Sequence, residues 1–135
     1  KVTFDDSTGT AVMRVLTGRI LSVFGKGREK TRPLQIATST ATIGIRGTGC
    51  YIEAEEARTY FCLCYGEAEV TPKGDPTQKE TIRTRHHEHP IYIHAGGSRM
   101  MAPATVINHT DAELIMLENS VGRWPPFYGQ GNGYR

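Results

Sequence analysis

Ala41-Thr42-Ile43-Gly44-Ile45-Arg46-Gly47-Thr48-Gly49-Cys50-Tyr51-Ile52-Glu53, a charged turn at Glu55 to Arg58, and Thr59-Tyr60-Phe61-Cys62-Leu63-Cys64-Tyr65 decide how this chain folds. β-Branched and aromatic residues dominate both arms, so the stretch reads as a long β-hairpin. It also holds all 3 cysteines of the sequence. A two-residue loop at Glu56-Ala57 pairs Glu55 with Arg58, and the ladder then sets Cys50 opposite Leu63 and Tyr51 opposite Cys62. Cys50, Ile52, Phe61 and Leu63 share one apolar face in that register, while Tyr51, Glu53, Tyr60, Cys62 and Cys64 occupy the other. A three-residue loop would place Cys50 opposite Cys62 but turn Phe61 and Leu63 outward. Burial favours the first register, since each such side chain contributes roughly 1.5–3 kcal/mol when buried. Gly47-Thr48-Gly49 is the corner on which this division rests, because a β-bulge there shifts the phase by one residue.

Outward from the hairpin the pattern stays β. Thr10 to Leu16, a Thr17-Gly18 turn, and Arg19 to Phe24 read as strand, turn and strand. The second of these is apolar on both faces, which suits a sandwich or a solenoid-like stack of strands rather than a sheet with one wet side. Gly25 to Pro33 is a polar loop and Leu34 to Ala37 restarts a strand. Beyond Glu67 to Thr71, the Pro/Gly-containing loop Pro72 to Gln78 precedes a strand at Lys79 to Arg85. His86 to His89, closed by Pro90, interrupts before Ile91 to His94. Thr110-Asp111-Ala112-Glu113 fits a capping box, so one short helix is expected over Asp111 to Ser120. The fold class is therefore all-β with a single short C-terminal helix. Residues 1–122 form one domain, and Trp124-Pro125-Pro126-Phe127 opens a Pro/Gly-rich tail, 123–135, that either docks by its aromatics or stays loose.

Length and composition agree with one core. A chain of 135 residues buries enough surface to fold without disulfide staples. Charged residues are 22% of the chain and Lys+Arg 16 nearly balances Asp+Glu 14, which excludes a disordered polyelectrolyte. The basic residues are scattered, so no nucleic-acid partner is indicated. No apolar run is long enough to span a bilayer, and Lys1 to Asp6 lacks the apolar stretch of a signal peptide, so no membrane insertion of this piece is expected. Neither Gly-x-Ser-x-Gly nor a phosphate loop is present, and Glu53, Glu55 and Glu56 flank a turn where carboxylates are solvated. The expectation is a protein that is not an enzyme.

Side chains two apart on a strand share a face, which aligns Cys62 with Cys64 and, in an extended segment, His87 with His89. Thiolate and imidazole pairs can close a tetrahedral shell for zinc or another transition metal. The candidate ligands are Cys50, Cys62, Cys64, His86, His87 and His89, with Cys50 optional, since the favoured register makes it a small core hydrophobe. His109, just before the helix cap, reads as a polar residue at a helix entrance or as a further member of the cluster. His94 reads as a half-buried strand residue. One disulfide plus a thiol is the alternative use of the cysteines. A redox role has less support, as Cys-x-Cys lies mid-strand rather than at a helix N-terminus that would lower a thiol pKa.

The series Leu16-Thr17-Gly18-Arg19-Ile20 with Ser22-Val23-Phe24, then Ile36-Ala37-Thr38 to Ala41-Thr42-Ile43-Gly44-Ile45-Arg46-Gly47-Thr48, and Tyr65-Gly66-Glu67-Ala68-Glu69-Val70, resembles the FecR domain. The resemblance runs from Val12 to Thr71. It implies an all-β periplasmic domain without catalytic residues, of the kind found in regulators that relay the state of an outer-membrane transporter to a sigma factor. Gly49-Cys50 stands where that family places an aromatic, and Cys62-Leu63-Cys64 lies outside its pattern. Three functional classes follow. The first is a FecR-like binding, scaffolding or signal-relay module with a protein partner in the cell envelope. The second is a metal-binding or metal-sensing protein, and the third a homo-oligomer that pairs exposed strand edges.

Overall fold

The computed structural model describes residues 2–5, 11–25 and 34–128. Most of the expected loop at Gly25 to Pro33 and the end of the tail, 129–135, lie outside the described residues. The architecture is one mixed sheet with, among the described residues, one short α-helix at its C-terminal end, in keeping with the all-β class and the single helix that the sequence leads one to expect. Strands β1 (Val2–Asp5), β2 (Ala11–Val15), β3 (Gly18–Phe24) and β4 (Leu34–Ala37) precede the long hairpin of β5 (Ala41–Ala54) and β6 (Arg58–Pro72). β7 (Glu80–Thr84), β8 (Ile91–His94), β9 (Met101–Pro103) and α1 (Asp111–Ser120) follow. β1 and β9 are not among the strands that the sequence reading places.

The hairpin is the spine. Each arm is long enough to carry two partners on its outer edge. β5 pairs with β4 over Thr42 to Ile45 and with β3 over Thr48 to Ala54. β6 pairs with β8 over Arg58 to Phe61 and with β7 over Gly66 to Val70. β2 lies parallel to β4, with β1 outside it, and β9 lies outside β8. One face of the sheet carries the main core, with Ile36, Ile43, Ile45, Ile52, Phe61, Leu63, Val70 and Ile93.

The hairpin register is the favoured one. Glu55 donates its amide to the Arg58 carbonyl at 3.0 Å, Cys50 lies opposite Leu63 and Tyr51 opposite Cys62. The glycine corner is a double irregularity: pairing passes from Arg46/Glu67 to Gly49/Tyr65 and then to Cys50/Leu63, so each strand holds one extra residue. Gly47 supports it with a φ of 55°. Both strands therefore change phase together. Odd-numbered Ile43 and Ile45 and even-numbered Cys50 and Ile52 all reach the same core, as do Phe61, Leu63, Ala68 and Val70. On β6 the shift puts Cys62, Cys64 and Tyr65 together in the apolar cluster of the second face.

Gly49 is required at the corner by close approach. A Cβ there would lie 2.5 Å from Cζ of the Tyr65 ring, so Gly49→Ala forces a buried aromatic to move. Overpacking of this kind costs about 1–3 kcal/mol. A lowered midpoint in thermal melting is expected, and an unchanged one would remove this account of the corner.

Candidate metal centre

Three short pieces of chain bring the site together. β6 supplies Cys62 and Cys64 on its second face, both fully buried. His87 comes from the turn after β7, where Glu88 Oε1 accepts from the Arg85 amide at 2.6 Å and the Thr84 hydroxyl at 3.0 Å. The His87 amide donates to the Cys64 carbonyl at 2.9 Å, which fastens the turn to β6. His109 immediately precedes α1, whose capping box is complete: Thr110 Oγ1 accepts from the Glu113 amide and Glu113 Oε1 from the Thr110 amide. Asn108, at φ 56°, steers the chain into the site and donates to Glu53 Oε2 at 2.6 Å.

The ligand atoms converge. Cys62 Sγ lies 3.3 Å from His87 Nδ1, Cys64 Sγ lies 3.4 Å from His109 Nε2, and the two imidazole nitrogens are 3.3 Å apart. All four atoms fall within 4.8 Å of one another. A tetrahedral centre with metal–nitrogen and metal–sulfur distances of about 2.0 and 2.3 Å places its ligand atoms about 3.3–3.8 Å apart, so the set is already close to coordination geometry.

The far side of each imidazole fixes which nitrogen faces inward. His109 Nδ1 sits 2.6 Å from the Ile107 carbonyl, which can only accept, so Nδ1 carries the proton and Nε2 presents a lone pair to the cluster. His87 Nε2 sits 2.8 Å from Asp111 Oδ1, which likewise directs the Nδ1 lone pair inward when the ring is neutral. A carboxylate or carbonyl behind each histidine is the arrangement that orients metal-binding imidazoles. The Tyr51 ring adds a stacking wall against His109, with centroids 4.5 Å apart and planes at 18°.

Electrostatics within the cluster separate the two sulfurs. Cys62 is drawn down, first by its hydrogen bond from Cys64 and also by the positive charge that His87 carries when its ring is protonated, against the opposing effect of burial. Cys64 is pushed up by burial and by the neighbouring Cys62 charge. For His87, burial acts downward but is outweighed by Cys62 and Asp111, and the net shift is upward. The protein groups by themselves thus hold one thiolate readily. A divalent cation is the kind of partner that allows both sulfurs to be anionic.

Of the expected ligands, Cys62, Cys64 and His87 meet here. Cys50 does not: strand alternation turns it into the opposite core, where it is fully buried and burial pushes its thiol up to about 12. His86 stands behind the set, with Nε2 2.8 Å from Asp111 Oδ1 and its ring 4.6 Å from that of Phe127. His89 is exposed and lines a surface groove of about 440 Å³ beside β7, β8 and β9. The pairing of His87 with His89 presumes an extended chain, whereas His87 adopts a φ of 53° and reverses its direction. His109 takes the fourth position. The sequence offered its place before the capping box as the only sign, and gave no indication that Asp111 serves both as a helix-entrance acid and as the support of His86 and His87. All three cysteines are free thiols.

No protein-family model matches the sequence, and no curated protein matches it. The fold is similar to two crystal structures, each described as a "putative anti-sigma factor" from Parabacteroides distasonis ATCC 8503. One aligns with a TM-score of 0.56 at 12% identity over 73% of this chain and 44% of its own. The other aligns with a TM-score of 0.57 at 12% identity over 83% of this chain and 56% of its own. The chain thus spans about half the length of those structures. At such identity the likeness is one of fold.

Proposed function

We propose that this protein is a non-enzymatic, FecR-like regulatory module that binds one transition-metal ion, zinc by preference, through Cys62, Cys64, His87 and His109. The observation that carries the metal reading is the convergence of two sulfurs and two correctly presented imidazole nitrogens at 3.3–3.4 Å contacts, each histidine braced from behind. Two thiolates and two imidazoles suit zinc over the oxygen-seeking cations, and four protein ligands leave no open position for substrate. A closed shell of this kind serves structure or sensing rather than catalysis. Elemental analysis of protein purified without a histidine tag is expected to find about one zinc per chain. Cobalt(II) should substitute with the visible spectrum of tetrahedral thiolate coordination. Absence of stoichiometric metal after incubation with zinc would defeat the metal reading.

The FecR-like part of the proposal is supported by the Leu16 to Val70 motif series and by the likeness in fold to described anti-sigma factors. On this proposal the module works in the periplasm, with a protein of the cell envelope as partner. Burial of Cys50 and metal ligation of Cys62 and Cys64 would protect the thiols in that oxidising compartment. Cross-linking in the native envelope followed by identification of the captured protein tests this. Capture of only cytosolic proteins would count against it.

A further inference from the structure

The proposed ligands do not all belong to the same layer of the molecule. Cys62 and Cys64 lie on the sheet and His87 on a turn hydrogen-bonded to it, but His109 lies on the segment from Ala104 to Phe127 that contributes to the second-face cluster. Asp111, the first residue of α1, accepts from His86 and His87. The site is therefore a stitch between a sheet and its covering segment. Resting on the metal reading above, we infer that metal occupancy latches this covering segment to the sheet, and that metal loss releases α1 while the sheet remains folded.

Packing on the two sides makes the release selective. Among the described residues the first-face core contains none beyond Met101, so nothing in that core depends on the covering segment. The covering helix has much less to hold it. Among its residues only Leu114 and Glu118 are buried, while Met116 is 66% exposed. A helix of 10 residues does not persist alone in water and depends on tertiary contacts. Leu114 and Phe127 of the covering segment are buried against the sheet in the second-face cluster, and hydrogen bonds add to this. Tyr60 donates its hydroxyl to the Thr105 carbonyl at 2.6 Å, and Tyr65 donates to Glu118 Oε2 at 2.5 Å, with Arg123 on the other carboxylate oxygen. Cys62 and Cys64 lie between those two tyrosines on β6, so the ligands occupy the middle of the attachment.

The direction of coupling follows from ligand count. With the segment lifted, the site retains Cys62, Cys64 and His87 but loses His109 and the Asp111 support. Loss of an outer support alone weakens a metal site roughly 10–100-fold, and loss of a ligand adds to that. A metal that binds the docked form more tightly by such a factor shifts the population toward it by the same factor. Release uncovers Tyr51, Tyr60 and Tyr65, which gives the metal signal a structural output on the sheet.

Hydrogen exchange on the full chain, zinc-loaded and chelated, tests the latch. Amides of Asp111 to Ser120 are expected to exchange at least about tenfold faster in chelator, with β5 and β6 unchanged. By reciprocity, Leu114→Ala, which removes no ligand atom, should weaken zinc binding at least about tenfold in competition with a chromophoric chelator. The strand amides report whether that variant remains folded. If zinc binds but helix exchange is the same with and without it, or Leu114→Ala binds zinc with unchanged affinity, the latch is wrong and the metal site stands. Equal loss of protection in β5 and β6 would make the metal a support of the whole domain, which also overturns the latch. Absence of zinc binding to the unmodified chain would remove both readings.

Discussion

The double substitution Cys62→Ser/Cys64→Ser is expected to abolish stoichiometric zinc binding, with loss of affinity by several orders of magnitude. Structural zinc sites of this ligand class bind with apparent free energies of about 10–16 kcal/mol, most of which depends on the thiolates. Serine keeps the size of the side chain but supplies a hydroxyl that does not ionise near neutral pH. The site would be left with two imidazoles braced by Asp111 and Ile107, a set that cannot close a tetrahedron alone. His109→Ala should approach the same loss by a different route, since it removes a ligand from the covering segment rather than from the sheet. Two variants sharpen the result. Cys50→Ser leaves a hydroxyl in an apolar core and should destabilise the fold by about 1–3 kcal/mol, yet keep the zinc stoichiometry. His89→Ala should leave both metal content and stability unchanged, because that side chain is exposed on the groove side of the turn. Equilibrium dialysis with elemental analysis, beside chemical denaturation, separates the cases. Zinc retained at full stoichiometry by the double serine variant would refute the assignment of ligands.

The sequence made the scaffold of this site legible because strand alternation is a local rule. Once the Glu56-Ala57 loop is taken as two residues, the alternation sorts Cys50 from Cys62 and Cys64 without reference to anything distant. The capping box at Thr110 to Glu113 marked α1 for the same reason, its signal being contained in four adjacent residues. What could not be read was which distant pieces meet. His109 lies 45 positions from Cys64, and its approach depends on the path of 104–110 over the second face. His87 and His89 were paired by assuming an extended chain, while the real turn is set by Glu88 and Thr84 binding backbone amides. Of the two strands missed, β9 has 3 residues, too few for a periodicity to show.

Phe127→Ala is expected to destabilise the zinc-loaded protein by about 3–5 kcal/mol, the usual cost of truncating a buried phenylalanine. In the sequence this residue lies past the expected domain boundary at 122, in a stretch whose prolines forbid helix. In the structure it is fully buried. Its ring meets the Tyr65 ring edge-on, with centroids 5.7 Å apart at 66°, and lies 4.6 Å from the His86 ring. Tyr65 in turn lies over Gly49 and donates to Glu118, so a single aromatic links the glycine corner, α1 and the residues after it. Removing Phe127 takes away one side of that packing. Denaturant unfolding should show a lower midpoint at unchanged slope, since the surface exposed on global unfolding hardly changes. A cost below about 1 kcal/mol would mean that residues after 122 add nothing to the domain despite their burial. The same variant measured in chelator gives an independent reading of the latch. If metal loss releases the covering segment, Phe127 is already out of the core before unfolding begins, and the substitution should then cost less than about 1 kcal/mol. A cost that is equal with and without zinc would require the segment to stay docked in both states.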